Sequence, residues 1–422
     1  MTPEIKQRIE QIRQGEIPKG YQWTKAGICP QTWHITRFQN LFTRINRRNT
    51  IGNTNVLTIS AQHGLIRQEE FFSKSIASID KSNYYLLYKG DFAYNKSYSN
   101  GYPFGAIKQL ELYDCGIVSP LYICFTPTKA NPCPAFYRQY FQAGKMNREI
   151  QADAQEGARN HGILNTSVDD FFQSILLQPP IEEQEKIADI LCTQDQVLER
   201  KEMLLKESRR KKQYLMQTLV TGKIRLPGFS KKWEPSKLGT LLHERKLYAQ
   251  KGLAYPHVTL STDGISPKTE RYNRDHLVKS EEKEYKVTRK GDICYNPANL
   301  KFGVICENKF GDAIFSPIYV TFEVTDHICR EYLANYLMRW DFINAVRKYE
   351  EGTVYERMAV KPEDFLKFEI LLPPLDEQIA IAEVLSAADR EIDLLQRDLE
   401  QEKQQKKALA QLLLSGIVRV TT

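Results

Sequence analysis

Two stretches of this chain repeat seam positions alternately four and three residues apart, the spacing of a helix that packs along one narrow stripe. The first seam runs Ile187, Leu191, Gln194, Leu198, Lys201, Leu205, Ser208, Lys212, Leu215 and Leu219. The second runs Ile381, Leu385, Ala388, Ile392, Leu395, Leu399, Glu402, Lys406, Leu409 and Leu413. Both turn polar at matching places, Ser208 and Lys212 against Glu402 and Lys406. A proline pair opens each stretch (Pro179-Pro180, Pro373-Pro374), and the acids that follow suit the positive end of a helix dipole. A glycine, Gly222 or Gly416, closes each. The pattern predicts helices over 181–222 and 375–415, each about 60 Å long at 1.5 Å per residue. Their other faces are too polar for burial all round, so the two seams are expected to pack on each other, antiparallel, with the intervening blocks at opposite ends. A separate partner protein on each seam is the alternative.

The helices belong to a longer repeat. Residues 169–225 and 363–419 align without a gap, 194 positions apart. "LLQPPIEEQEKIADIL" matches "ILLPPLDEQIAIAEVL", and "LVTGKIR" matches "LLSGIVR". Upstream of each copy lies a block of aromatic and β-branched runs punctuated by Gly, Pro and Asn. These blocks share anchors, "YKGDFAYN" with "RKGDICYN" and "VSPLYICF" with "FSPIYVTF", but differ in the stretches between. A third, partial copy, "IRQGEIPKGY", stands near the N-terminus. The expected organisation is an N-terminal partial-repeat helix over 1–19, a first head over 20–168, a central spacer helix over 169–225, a second head over 226–362 and a C-terminal spacer helix over 363–422. The fold class is α/β: two mixed α/β heads separated by two long antiparallel helices forming a coiled coil, with a pseudo-twofold internal repeat.

Charge sharpens this picture. The net +7 is modest, but 181–225 carries about +2 and 375–419 about −3, which leaves roughly +8 elsewhere, mainly on the heads. A basic excess on the heads favours a polyanionic partner. Eight cysteines are scattered without a C-x-x-C pair, as expected for reduced thiols in a cytoplasmic protein. No apolar run reaches membrane-span length, and the charged N-terminus lacks a signal-peptide core. Catalytic patterns are missing: there is no phosphate-binding G-x-x-x-x-G-K-[ST] loop, and the seven histidines form no metal-ligand spacing. "YNPANL" only faintly suggests an amino-methyltransferase loop, because Ala298 and Asn299 follow Pro297 and no glycine-rich cofactor loop precedes it.

Candidate DNA contacts are Arg44, Arg47 and Arg48 in one basic run, Asn95, Lys96 and Tyr98 in the loop after an anchor strand, and Asn296, Asn299 and Lys301 in the equivalent loop. Arginine suits guanine and asparagine suits adenine in the major groove, while lysine binds phosphate without reading sequence. Asn95 and Asn296 serve equally well to build their own turns. The Arg209–Lys212 run reads as a solvated helix face.

These residues together resemble the specificity subunit of a type I restriction–modification enzyme. The resemblance covers essentially the full length and rests on the paired "PPIEEQEKIADIL" and "PPLDEQIAIAEVL" openings, the "GD..YN" and "SP.Y..F" anchors and the "MTPEIKQRIEQIRQGEIPKGY" start. It implies two target-recognition domains, each reading one half of a bipartite, asymmetric sequence in double-stranded DNA. It also implies spacer helices that dock two methyltransferase subunits, with Ile187, Leu191, Leu198, Leu205, Leu215, Leu219, Ile381, Leu385, Ile392, Leu399, Leu409 and Leu413 as the docking and coiled-coil seam. The chain itself would be non-catalytic and hold no metal or cofactor. S-adenosylmethionine for adenine methylation would come with the methyltransferase subunits, and ATP and Mg with up to two restriction subunits. Arg159 and Arg357 complete the DNA-contact candidates, although they do not align: "QEGARNHGI" holds Arg159 where "EEGTVYERM" has Val354. A coiled-coil adaptor whose heads bind protein is the competing reading.

Overall fold

The computed structural model describes residues 2–60, 62–71, 80–98, 101–128, 132–153, 164, 166–250, 254–268, 284–350 and 359–420. Contacts divide it into two units, Met1–Lys201 with Asp398–Thr422, and Glu202–Arg397. The two predicted long helices are present as Ile181–Leu219 and Leu375–Leu413, and each belongs partly to both units.

In the first unit, a four-stranded antiparallel sheet orders Phe42–Arg44, Ile123–Pro127, Phe92–Asn95 and Ala106–Gln109. The helix Pro134–Gln142 lies beside it. The core is an aromatic cluster in which Phe38, Phe42, Phe92, Phe125 and Phe141 pack ring on ring at centroid distances of 4.7–6.0 Å. The second unit repeats the plan. Its sheet orders Leu242–Glu244, Val320–Val324, Ile293–Tyr295 and Ile305–Glu307, with the helix Arg330–Leu337 alongside.

The shared anchors are framework. In each "GD" turn the aspartate accepts a hydrogen bond from the backbone N–H three residues earlier, Tyr88 to Asp91 and Arg289 to Asp292, both at 2.8 Å. The tyrosine before each asparagine is fully buried. Tyr94 stacks on Phe171 at 5.0 Å and Tyr295 on Phe365 at 4.9 Å. Their hydroxyls donate to the carbonyls of Phe104 and Val360, so burying them leaves no polar group unpaired.

The long helices pack antiparallel within each unit. In the first, Ile187 and Leu191 pack in the same core as Leu413 and Leu414. In the second, Leu219 packs with Ile381 and Leu385. Leu205, Ile392 and Leu399 are also buried, and Leu198, Leu215 and Leu409 half-buried. The polar seam positions are paired too. Lys201 reaches Asp398 at 2.9 Å and Glu402 at 2.6 Å, Lys406 pairs with Asp195, Ser208 donates to Glu391 at 3.1 Å, and Lys212 pairs with Asp389. Among the described residues, no helix is long and apolar enough to cross a membrane.

Candidate nucleic-acid interface and the rod locks

Each long helix ends in the same way. Gly222 and Gly416 take φ of 71° and 70°, the left-handed region that glycine enters without a Cβ clash. Three residues on, an arginine reaches the start of the other long helix. Arg225 donates from Nε and Nη2 to the two carboxylate oxygens of Glu377 at 2.5 and 2.7 Å. Arg419 does the same to Glu183 at 2.7 and 3.0 Å. A tryptophan completes each lock, with Trp233 Nε1 donating to Glu377 at 3.1 Å and Trp33 Nε1 to Glu183 at 2.8 Å. Glu183 and Glu377 are 1% and 0% exposed, so a bidentate arginine is what makes burying the charge tolerable. The neighbouring glutamines tie each helix start to its head: Gln184 and Gln378 accept from the backbone N–H of Cys133 and Cys329, the residues before the head helices. Sequence reading missed this lock, yet its signal was there, since the acid in each matched opening and the arginine in each matched ending are its two halves.

The N-terminal partial copy is tied to the C-terminal ending. Arg8 donates to the carbonyl of Ile417 at 2.6 Å and Tyr21 to that of Gly416 at 2.7 Å. The first unit is thereby bracketed by the start and the end of the chain.

Several of the predicted DNA contacts also bond within the heads, Arg47 and Arg48 while staying exposed. Arg47 pairs with Asp91 and lies over the Tyr88 ring at 4.7 Å. In the second head Asp292 is paired by Arg245, which stands at the backbone position of Ile45 rather than of Arg47 and donates to Asp292 at 2.8 and 3.0 Å; this hydrogen bonding raises the arginine pKa further. Arg48 donates to the carbonyl of Asn83 and sits over Tyr85 at 4.4 Å. Lys96 donates to the carbonyl of Thr166 at 3.2 Å. Asn95 accepts from the N–H of Ser97, and the buried Asn296 from those of Ala298 and Asn299, so both build turns. Lys301 leans over Phe302 at 5.3 Å. Arg44, Tyr98 and Asn299 are exposed. Arg159 and Arg357 lie outside the described residues. Of the seam residues, Ile187, Leu191, Leu409 and Leu413 pack in the core of the first unit and Leu215, Leu219, Ile381 and Leu385 in a core of the second. Buried thiols are inert, with burial pushing Cys294 and Cys306 up to about 12.

Residues 231–404, the second head and most of its following helix, match the family described as the type I restriction modification DNA specificity domain. The gapless repeat and the duplicated locks extend the same architecture to the first half. Residues 231–404 belong to the type I restriction modification DNA specificity domain family. Over 71 residues the chain is 41% identical to a protein described as the MjaX type I restriction enzyme specificity subunit of Methanocaldococcus jannaschii, an alignment spanning 17% of the chain and 16% of that relative. Its fold is similar to a chain solved in work on complex assembly and conformational transition of the type I restriction–modification system, with a TM-score of 0.57 and 16% identity over 92% of this chain and 99% of that one. It is also similar to the type I restriction–modification S subunit from M. genitalium, with a TM-score of 0.50 and 13% identity over 92% and 97%.

Proposed function

We propose that this chain is the specificity subunit of a type I restriction–modification system, the non-catalytic DNA-reading subunit of a cytoplasmic adenine-methylating complex. Each head reads one half of a bipartite, asymmetric duplex sequence. The paired long helices set the gap between half-sites and dock two methyltransferase subunits, which bring S-adenosylmethionine. Up to two restriction subunits, using ATP and Mg, join the same assembly. The observation that carries the reading is the pairing of sameness and difference: the heads share their anchors, aspartate–arginine clamps and rod locks, while the loops between the anchors diverge. Two unlike readers on one repeated frame fit an asymmetric target. A protein-binding adaptor would leave the basic excess of the heads without a purpose.

The test is duplex binding and methylation by the chain assembled with its methyltransferase partner. One bipartite sequence should be methylated. Neutralising six to ten phosphates should make affinity fall roughly 10³- to 10⁵-fold between 50 and 200 mM salt. A flat salt response without sequence preference would replace this reading with the adaptor.

A further inference from the structure

The first head carries a second set of polar side chains, gathered at the base of a hairpin. A β-hairpin pairs Leu57–Ser60 with Gly64–Arg67. At its base is a cleft of about 360 Å³ lined by Thr54, Asn55, Val56, Arg67, Gln68, Glu69 and Lys81. Arg67 is exposed; its guanidinium lies 5.4 Å from the Tyr113 ring, and among the described residues neither Arg67 nor Lys81 forms an ion pair. Asn55 is held in place by donating to the carbonyl of Cys115 at 3.0 Å, while its Oδ1 is buried without a hydrogen-bond partner among the described residues. Buried acceptors are normally paired, so an orphan one in a polar cleft points to a donor from outside the chain.

The second head builds the same backbone cradle. Its hairpin pairs Val258–Ser261 with Gly264–Pro267. Before each hairpin the chain docks in parallel on a neighbouring strand: Ile117 donates to the carbonyl of Asn55 at 2.9 Å, and Ile314 to that of Pro256 at 3.0 Å. After each hairpin the next N–H closes the base, Gln68 onto Val56 at 2.9 Å and Lys268 onto His257 at 3.0 Å. The backbone hydrogen bonds are therefore the same and the side chains are not. Asn55, Val56, Arg67 and Gln68 stand where the second head has Pro256, His257, Pro267 and Lys268. In the anchors the opposite holds, with residue types largely kept.

We infer that this hairpin base is where each head reads bases, with Asn55, Arg67 and Gln68 as the specificity determinants of the first head and Lys81 as its phosphate anchor. The inference rests on the DNA-reading function proposed above and adds the site. Its donor and acceptor set suits base edges: glutamine and asparagine pair with adenine, arginine with guanine, and Glu69 can accept from cytosine. Replacing arginine and glutamine by Pro267 and Lys268 at the equivalent places gives the second head a different code on the same cradle.

The experiment uses the complete complex with its methyltransferase subunits and reads the methylated sequence genome-wide together with duplex affinities. Arg67→Ala with Gln68→Ala should relax one half-site, cutting discrimination there by roughly 5- to 150-fold, and leave the other half-site intact. Lys268→Ala should alter the other half-site. Lys81→Ala should weaken all sequences alike and lower the salt slope by about one. Arg67 and Glu69 are exposed, so a Glu69→Gln variant provides a second probe that keeps the shape of the cleft. The site is wrong if the wild-type complex is specific while the Arg67/Gln68 variant keeps its half-site, weakens every sequence equally, or changes the same half-site as Lys268→Ala. A wild-type complex without sequence preference would overturn the DNA-reading function itself.

Discussion

Glu183 and Glu377 are the residues on which the frame depends most. A carboxylate removed from water costs several kcal/mol unless it is fully paired, and each accepts from an arginine fork and a tryptophan. The two partners of a lock are not equivalent: Glu377 is buried, whereas Arg225 keeps 28% of its side-chain surface and can rehydrate. Arg225→Met, which strands the carboxylate, should therefore cost about 3–5 kcal/mol, and Glu377→Gln only about 1–3 kcal/mol. The double variant should cost clearly less than the sum in equilibrium urea unfolding; strict additivity would mean that the two do not act as a pair. Lys108 is a residue-scale liability of the opposite kind. Burial, reinforced by Lys406 and opposed by Asp195 and Glu111, lowers its pKa to about 8. An unfolded lysine titrates near 10.4, so between about pH 8 and 10.4 the native state binds fewer protons and stability rises with pH. Below pH 8 the buried charge is a standing cost, only partly offset by the hydrogen bond to Tyr102 at 3.1 Å. Lys108→Met should thus raise stability at pH 7 by about 1–3 kcal/mol, with the difference fading towards pH 10.5. A variant less stable than wild type at pH 7 would contradict the burial argument.

At the scale of the element, the long helices combine an apolar seam with polar layers that fix register. Exposed or half-exposed ion pairs such as Lys201–Asp398 and Lys212–Asp389 contribute about 0–1 kcal/mol each, so their value lies in penalising a slipped alignment rather than in stability. A slip of one heptad would leave Lys406 without Asp195 and Ser208 without Glu391. This fixes how the rod can be shortened. Removing 202–208 together with 392–398 takes one heptad from each helix, keeps both seams in phase and shortens each by about 10 Å. If the helices set the spacing, the gap between half-sites should contract by about three base pairs at 3.4 Å per pair, with both half-sites unchanged in methylation sequencing. An unchanged gap would remove the helices as the ruler.

At the scale of the whole molecule, the chain is one plan written twice, and legibility differed between its parts. Heptad spacing, proline openings and glycine endings placed both long helices and paired their seams, because helix periodicity is a local property that survives in the sequence. The anchors located the shared strands of the heads for the same reason. Base-contact candidates were less legible. Arg47 stands in a basic run in the sequence, and folding brings Asp91 against it from 44 positions away. Arg67 and Gln68 lie in an unremarkable run, and folding leaves them at a cleft beside Asn55. The sequence by itself determined the repeat, the helices and the basic excess on the heads, since each is a matter of spacing or composition. Tertiary structure alone decided which polar groups hold the frame, because that depends on which distant residues fold up against each one.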